Sequence, residues 1–336
     1  MKRQYFPFVL QVDLTPRCNK NCLHCRSSHG ATSELRLAEW QEILEPIFTY
    51  FGNRIQWLVI GGGEPTLYPE LDHFITYVSR KVRTVLLMSN GSLIAAEPVV
   101  LAELKEAGLN RLQLSLESPY PDIHDQIRGP GDFWQVMQAA IACRKLGLDL
   151  ALRMTLNGLN WRDYAQFVTI CAGLGAKEAN LRKVIPVGNA AKHFVWDCIT
   201  PEDHCRIMTD FPRLAAKYGL LVNSEDPYRF IVDPHYERLA GSSTCFLRGC
   251  PAATGYGYIS PEGQMRPCSN IPVVLGDLRR ESFVEIWNHH DWMIKLRERD
   301  YAKCQDCRYQ MICGGCRAMA WAYCGDYWGI DPDCWL

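Results

Sequence analysis

The sequence offers nothing that could cross a bilayer: nowhere in its 336 residues do roughly 18 apolar residues follow one another. It also lacks an export signal, because the apolar run after Met1-Lys-Arg-Gln-Tyr5 is short and no small-residue cleavage site follows it. Charge of one sign is not in excess. Lys and Arg number 36 against 37 Asp and Glu, a formal net charge of −1, so no basic surface for nucleic acid is indicated. No internal repeat or low-complexity stretch stands out. With 48% hydrophobic and 22% charged residues, the chain can bury a full core rather than remain disordered. These absences leave a cytoplasmic globular chain, long enough for one large α/β domain and a smaller one. Its sixteen cysteines then point to metal rather than to disulfides, which need an oxidising compartment.

Apolar runs alternate with helical patterns along the first two thirds of the chain. Strands are expected over 7–14, 55–60, 83–88, 111–116, 148–156 and 179–185, with helices near 37–51, 69–80, 97–107, 132–146, 161–173 and 201–218. Six strands alternating with helices predict a parallel sheet with right-handed crossovers. Strands this apolar predict that both faces are covered. The fold class is therefore α/β, a partial or open (β/α)6 TIM-like barrel with its chemistry at the strand C-terminal ends. Beyond about residue 235 the rhythm stops, and cysteines and aromatics accumulate. Pro261-Glu-Gly263 between two short β-type runs signals a hairpin, and Ser282-Phe-Val-Glu-Ile-Trp287 opens a short amphipathic helix. The expected division is a core barrel over 1–235 and a small cysteine-rich module over 236–336, stapled by metal.

Three cysteines, Cys18, Cys22 and Cys25, follow the first strand with the spacing C-x3-C-x2-C. On one short loop they can converge on a small inorganic centre, and a [4Fe–4S] cluster held by three thiolates keeps one iron free. A structural zinc site more often takes C-x2-C pairs and four protein ligands. His24, inside the loop, reads as packing or as a support for the ligands. The second strand ends in Gly61-Gly-Gly-Glu64-Pro65, where glycines let the backbone approach a ligand and Glu64 supplies an acceptor; a plain tight turn is the alternative. Ser89-Asn90-Gly91 ends the third strand, Ser115-Leu-Glu117-Ser118 the fourth, and Arg153, Thr155 and Asn157 lie on the fifth. At the far end, Cys304-Gln-Asp-Cys307 is followed by Cys313-Gly-Gly-Cys316, which alone could be a zinc ribbon.

Taken together, these motifs resemble the radical S-adenosylmethionine (radical SAM) superfamily with a C-terminal SPASM extension. The resemblance implies that Cys18, Cys22 and Cys25 hold the catalytic cluster and that its open iron chelates the methionine part of S-adenosyl-L-methionine. It implies further that Gly62, Gly63 and Glu64 receive the methionine amino group. Ser89, Asn90, Ser115, Glu117 and Arg153 would meet the ribose or the carboxylate, and Ile185-Pro-Val-Gly188 would lie near the adenine. Cys245, Cys250, Cys268 and Cys316 would hold one auxiliary [4Fe–4S] cluster, and Cys304, Cys307, Cys313 and Cys334 another, making three clusters. Cys313 and Cys316 are two residues apart where the commonest version of the extension has three. Cys324 stands near enough in sequence to compete with Cys334, but its helix-forming surroundings favour packing, whereas Asp331-Pro332 extends the chain ahead of Cys334.

The activity implied is reductive cleavage of S-adenosylmethionine to a 5′-deoxyadenosyl radical, which oxidatively modifies an unactivated C–H position. A flavodoxin or ferredoxin-type protein would be the reductant. Only seventeen residues precede Cys18, so the peptide-recognition module that many peptide-modifying relatives carry ahead of the barrel is not expected. Wording such as Cys22-Leu-His-Cys-Arg26 and Gly249-Cys-Pro-Ala-Ala-Thr-Gly255 is similar to members of the alternative-haem and modified-haem pathways, which favours a tetrapyrrole substrate. Maturation of a ribosomal peptide is the alternative, and a non-catalytic Fe–S electron carrier a second one.

Overall fold

The computed structural model describes residues 4–27, 33–194, 199–223, 226–232, 249–310 and 312–336. Ten strands form one sheet: β1 (Val9–Thr15), β2 (Trp57–Gly62), β3 (Thr84–Ser89), β4 (Arg111–Ser115), β5 (Asp149–Leu156), β6 (Glu178–Lys183), β7 (Leu221–Asn223), β8 (Tyr256–Ile259), β9 (Gln264–Arg266) and β10 (Gly276–Asp277). Their order is β10-β9-β8-β1-β2-β3-β4-β5-β6-β7. From β1 to β7 every pairing is parallel. Helices such as Leu37–Phe51, Leu71–Ser79, Asp132–Lys145 and Pro201–Ala216 return the chain between strands. The sheet is an open, partial barrel, with the cysteine-rich stretch following it in the chain.

Two features go beyond the expected six strands. β7 is a short seventh strand, only three residues long and paired with β6. The expected hairpin forms as β8 and β9, but β8 also pairs in parallel with β1, from Val9 opposite Tyr256 to Val12 opposite Ile259. The hairpin thereby covers the free edge of β1, which would otherwise present unpaired amides.

The two faces of the strands differ in chemistry. Leu10, Val12 and Leu14 of β1, Leu58 and Ile60 of β2, Leu112 and Leu114 of β4, and Leu150 and Leu152 of β5 are buried in the main core cluster. The alternate positions of several strands are polar. Strict registers place Gln113 beside Ala151, Ser115 beside Arg153, Arg153 beside Asn180 and Thr155 beside Arg182, so these side chains share the concave face. Arg111 pairs with Glu178 at 2.8 Å in one layer. In the next, Asn180 donates to Gln113 at 2.9 Å across the small Ala151. Both faces are buried, as the apolar runs suggest, yet the concave face is a polar lining rather than a second hydrophobic core.

Candidate active site and cysteine fields

The Cys18–Cys25 loop leaves the C-terminal end of β1 and is fixed from three sides. Gly63 donates its N–H to Thr15 O at 2.8 Å, and Glu64 donates its N–H to Arg17 O at 2.8 Å. A Cβ on Gly63 would lie 2.7 Å from Arg17 C and 2.8 Å from Pro16 O, closer than any side chain tolerates. The space at this glycine is thus taken by the backbone that leads into the cysteine loop. On the opposite side, Asn189 donates its side-chain N–H to Cys22 O at 2.8 Å, and Ala190 donates its N–H to Cys25 O at 3.1 Å. Gly188, at φ +62°, passes so close to Arg26 that a Cβ would meet its carbonyl. The third tie is Asn90, which donates to Asn19 Oδ1 at 2.7 Å.

Glu64 is 1% exposed and both of its carboxylate oxygens are engaged within the chain. Oε1 accepts from Ser89 Oγ at 2.8 Å, Thr66 Oγ1 at 2.7 Å and Thr66 N at 3.2 Å, while Oε2 accepts from Asn90 N at 2.7 Å. It stitches the ends of β2 and β3 together, and Ser89 and Asn90 belong to the same stitch. Asn157 is likewise spent on its own turn, donating to Thr155 O at 3.0 Å.

Glu117 belongs to a buried charge network that motif reading missed. It accepts from Thr155 N at 2.8 Å and lies 3.2 Å from His24 Nε2 and 3.5 Å from Arg128. Arg128 reaches Asp132 at 2.5 Å, which also meets His124 at 3.0 Å and Lys20 at 2.8 Å. Burial alone would raise the Glu117 carboxyl, but the neighbouring His24 and Arg128 side chains and the Thr155 N–H hold it down at about 2. Two members of the network, Lys20 and His24, are residues of the cysteine loop itself. The only hint in the sequence is the density of charged residues in Pro121–Arg128 beside an otherwise apolar barrel.

Cys25 sits within electrostatic reach of both Cys18 and Cys22, and so does the Arg128 guanidinium. Burial pushes the Cys22 thiol up to about 11, so thiolates form here only with a cation to compensate them. At the other end, Cys304, Cys307, Cys313 and Cys334 line one pocket. Cys250, Cys268 and Cys316 form a separate group in mutual electrostatic reach. Cys245 lies outside the described residues. Cys324 is exposed and turns its thiol to Ile330 O at 3.6 Å, away from both groups.

The donor chemistry of these thiols fits iron–sulfur clusters. Ser27, Asn270, Tyr309 and Gly315 donate their backbone N–H to the sulfurs of Cys25, Cys268, Cys307 and Cys313 at 3.2–3.4 Å, each from two residues downstream. Lys20 N–H does the same for Cys18. Such N–H···S turns favour the thiolate and the ligated cluster. Cys22 and Cys334 instead face carbonyl oxygens. Among the described residues, no group of three or more His, Cys, Asp and Glu side chains is drawn together tightly enough for a single metal ion. His24 Nδ1 is buried without a hydrogen-bond partner, an orphan atom that suits a loop built to meet a bound group.

The profile of the radical SAM superfamily matches residues 12–170, and that of the SPASM iron–sulfur cluster-binding domain matches residues 250–308. The chain belongs to the radical SAM superfamily. A radical SAM enzyme with a SPASM domain binds S-adenosylmethionine and [4Fe–4S] clusters, and oxidoreductase-type radical chemistry is its activity class. The AdoMet-dependent heme synthase of Methanosarcina barkeri is 28% identical over 98% of this chain and 96% of its own length. The mycofactocin maturase MftC of Mycolicibacterium smegmatis is 27% identical over 98% and 82%. Among solved structures, Streptococcus suis SuiB bound to S-adenosylmethionine superposes with a TM-score of 0.79 at 16% identity, covering 99% of this chain and 78% of that one; this likeness is one of fold. No helix among the described residues is long and apolar enough to cross a membrane.

Proposed function

We propose that this radical SAM enzyme oxidatively modifies an unactivated C–H position on the side chain of a carboxylate-bearing tetrapyrrole, with a ribosomal peptide as the competing substrate class. S-adenosylmethionine bound at a reduced [4Fe–4S] cluster supplies the 5′-deoxyadenosyl radical that removes the hydrogen atom. The chain's residues hold and enclose it: Cys18, Cys22 and Cys25 as ligands, with Gly62, Gly63, Ser89, Asn90, Ser115 and Arg153 lining the strand ends above the loop. Glu64 and Glu117 act by positioning, since their carboxylates are engaged within the chain. Cys245, Cys250, Cys268 and Cys316, and Cys304, Cys307, Cys313 and Cys334, complete two further clusters, three in all. A flavodoxin or ferredoxin-type protein in the cytoplasm supplies the electrons, and the barrel and the C-terminal module are read as the divisions 1–235 and 236–336.

The observation that carries the substrate class is the set of arginines, Arg26, Arg153 and Arg182, that stands at the concave face and beside the C-terminal cysteines. Arg26 pairs with Asp13 and donates to Ser269 O at 3.1 Å, beside Cys268. Arg182 reaches Cys316, and Arg153 shares its face through the β5–β6 register. Guanidinium forks suit planar carboxylates, which tetrapyrrole side chains carry. The heme synthase likeness over nearly all of both chains supports the same reading. The test is anaerobic incubation of reconstituted enzyme with S-adenosylmethionine, dithionite and iron coproporphyrin or a small precursor peptide, following 5′-deoxyadenosine and substrate mass. Consumption of the tetrapyrrole with 5′-deoxyadenosine formation is expected. Turnover with the peptide alone overturns the substrate class and leaves the enzyme class standing.

A further inference from the structure

Arg182 occupies the last turn of the concave face before β6 ends, in register with Thr155. Its Nη2 donates to Cys316 Sγ at 3.6 Å. Cys316 is 7% exposed, so this guanidinium reaches a thiol that solvent barely touches. The same cation acts on the neighbouring Cys268 and on the buried Asp226. The Cys316 backbone N–H donates to Asp331 Oδ2 at 2.5 Å, and that carboxylate acts on the thiol in the opposite sense to the Arg182 guanidinium. Arg182 is therefore a cation that joins the concave face, where substrate would lie, to a C-terminal sulfur.

We infer that Arg182 tunes the reduction potential of the auxiliary cluster held by Cys316, raising it so that this cluster accepts an electron readily from the barrel side. The inference rests on the assignment of Cys316 as a ligand. Reduction adds negative charge to the cluster and its sulfurs. A positive donor on a ligand sulfur stabilises that charge, and hydrogen bonds to the sulfurs are a principal control of cluster potential. Limited solvent access keeps the interaction from being screened away.

The test uses full-length chain in which Cys18, Cys22 and Cys25 are all changed to Ala, so that only auxiliary clusters give an electron paramagnetic resonance signal during redox titration. With Arg182→Gln, one midpoint should move to more negative potential by at least tenfold in the reduction equilibrium, about 59 mV for one electron. The other midpoint should stay in place as an internal control. Arg182→Lys, which keeps the charge but not the fork, should fall between wild type and Arg182→Gln. Unmoved midpoints in Arg182→Gln overturn the inference. Should that variant lose the cluster, Arg182→Lys decides: a midpoint more negative than wild type supports the tuning role and a wild-type midpoint overturns it. Iron content of Cys316→Ala separates the two layers of the argument. Full iron there overturns the ligand assignment and the inference with it, whereas lost iron alongside unmoved Arg182→Gln midpoints removes the tuning role alone.

Discussion

Replacing Glu117 by Gln should destabilise the protein by about 3 kcal/mol at neutral pH, a magnitude that two routes give independently. The carboxyl is held at about 2 instead of its ordinary 4.5, and at about 1.36 kcal/mol per pH unit this corresponds to about 3 kcal/mol in favour of the folded state. Removing one partner from a buried ion pair costs about 3–5 kcal/mol, because the other charge is left uncompensated. Gln can still accept from Thr155 N–H, but its uncharged amide no longer compensates the buried Arg128 guanidinium, and the lower end applies because Asp132 still pairs with it. The sign with pH follows from a depressed carboxyl. Its contribution is complete above the ordinary value and is lost as pH falls through the folded value, so wild type and variant should converge between about pH 4.5 and 2. The assay is anaerobic thermal unfolding of the reconstituted protein followed by Trp fluorescence. At about 2 °C per kcal/mol for a chain of this size, a fall of about 6 °C is expected at pH 7. A fall of less than about 1 °C would refute the claim that this network anchors the cysteine loop.

The remaining predictions probe the other ties. Gly63→Ala forces a Cβ against the Pro16–Arg17 backbone and should cost about 1–3 kcal/mol, weakening S-adenosylmethionine binding measured by equilibrium dialysis. Gly173→Ala, where a Cβ meets nothing within 4 Å, should leave binding unchanged. Lys183→Met breaks the buried pair with Asp333 at 2.7 Å, next to Cys334, and should lower iron content by about a third of that for three cubanes. The double change Lys183→Met with Asp333→Leu should recover part of that iron, since an uncharged pair leaves no orphan ion. Cys334→Ala should reduce iron from about twelve to roughly eight atoms per chain while Cys324→Ala keeps it; the reverse pattern would reassign the ligand.

The parallel strands were legible because their helix-facing positions form apolar runs of the right length, and the cysteine loop because thiolate ligands need close spacing in the chain. β8 was legible as half of a hairpin but not as a partner of β1. A parallel pairing between the two ends of a chain leaves no local periodicity, only a demand that the exposed edge of β1 be covered. The same limit hid Asn189, whose amide cradles the cysteine loop from after β6.

Glu64 and Glu117 show where residue type and residue role part. Each stands at a strand end beside the cysteine loop, where a carboxylate reads naturally as a cofactor acceptor. A carboxylate has about four lone-pair positions, and those of Glu64 are met by Ser89, Thr66 and Asn90. Glu117 is met by Thr155, His24 and Arg128. Burying either charge without such partners would cost several kcal/mol, so these partners are a condition of folding before they are a condition of catalysis. Their influence on the site then runs through what they hold: Asn90, which ties down Asn19, and His24, which stands between Cys22 and Cys25. A substitution at either acid should therefore disturb the geometry of the cysteine loop through the partners it holds.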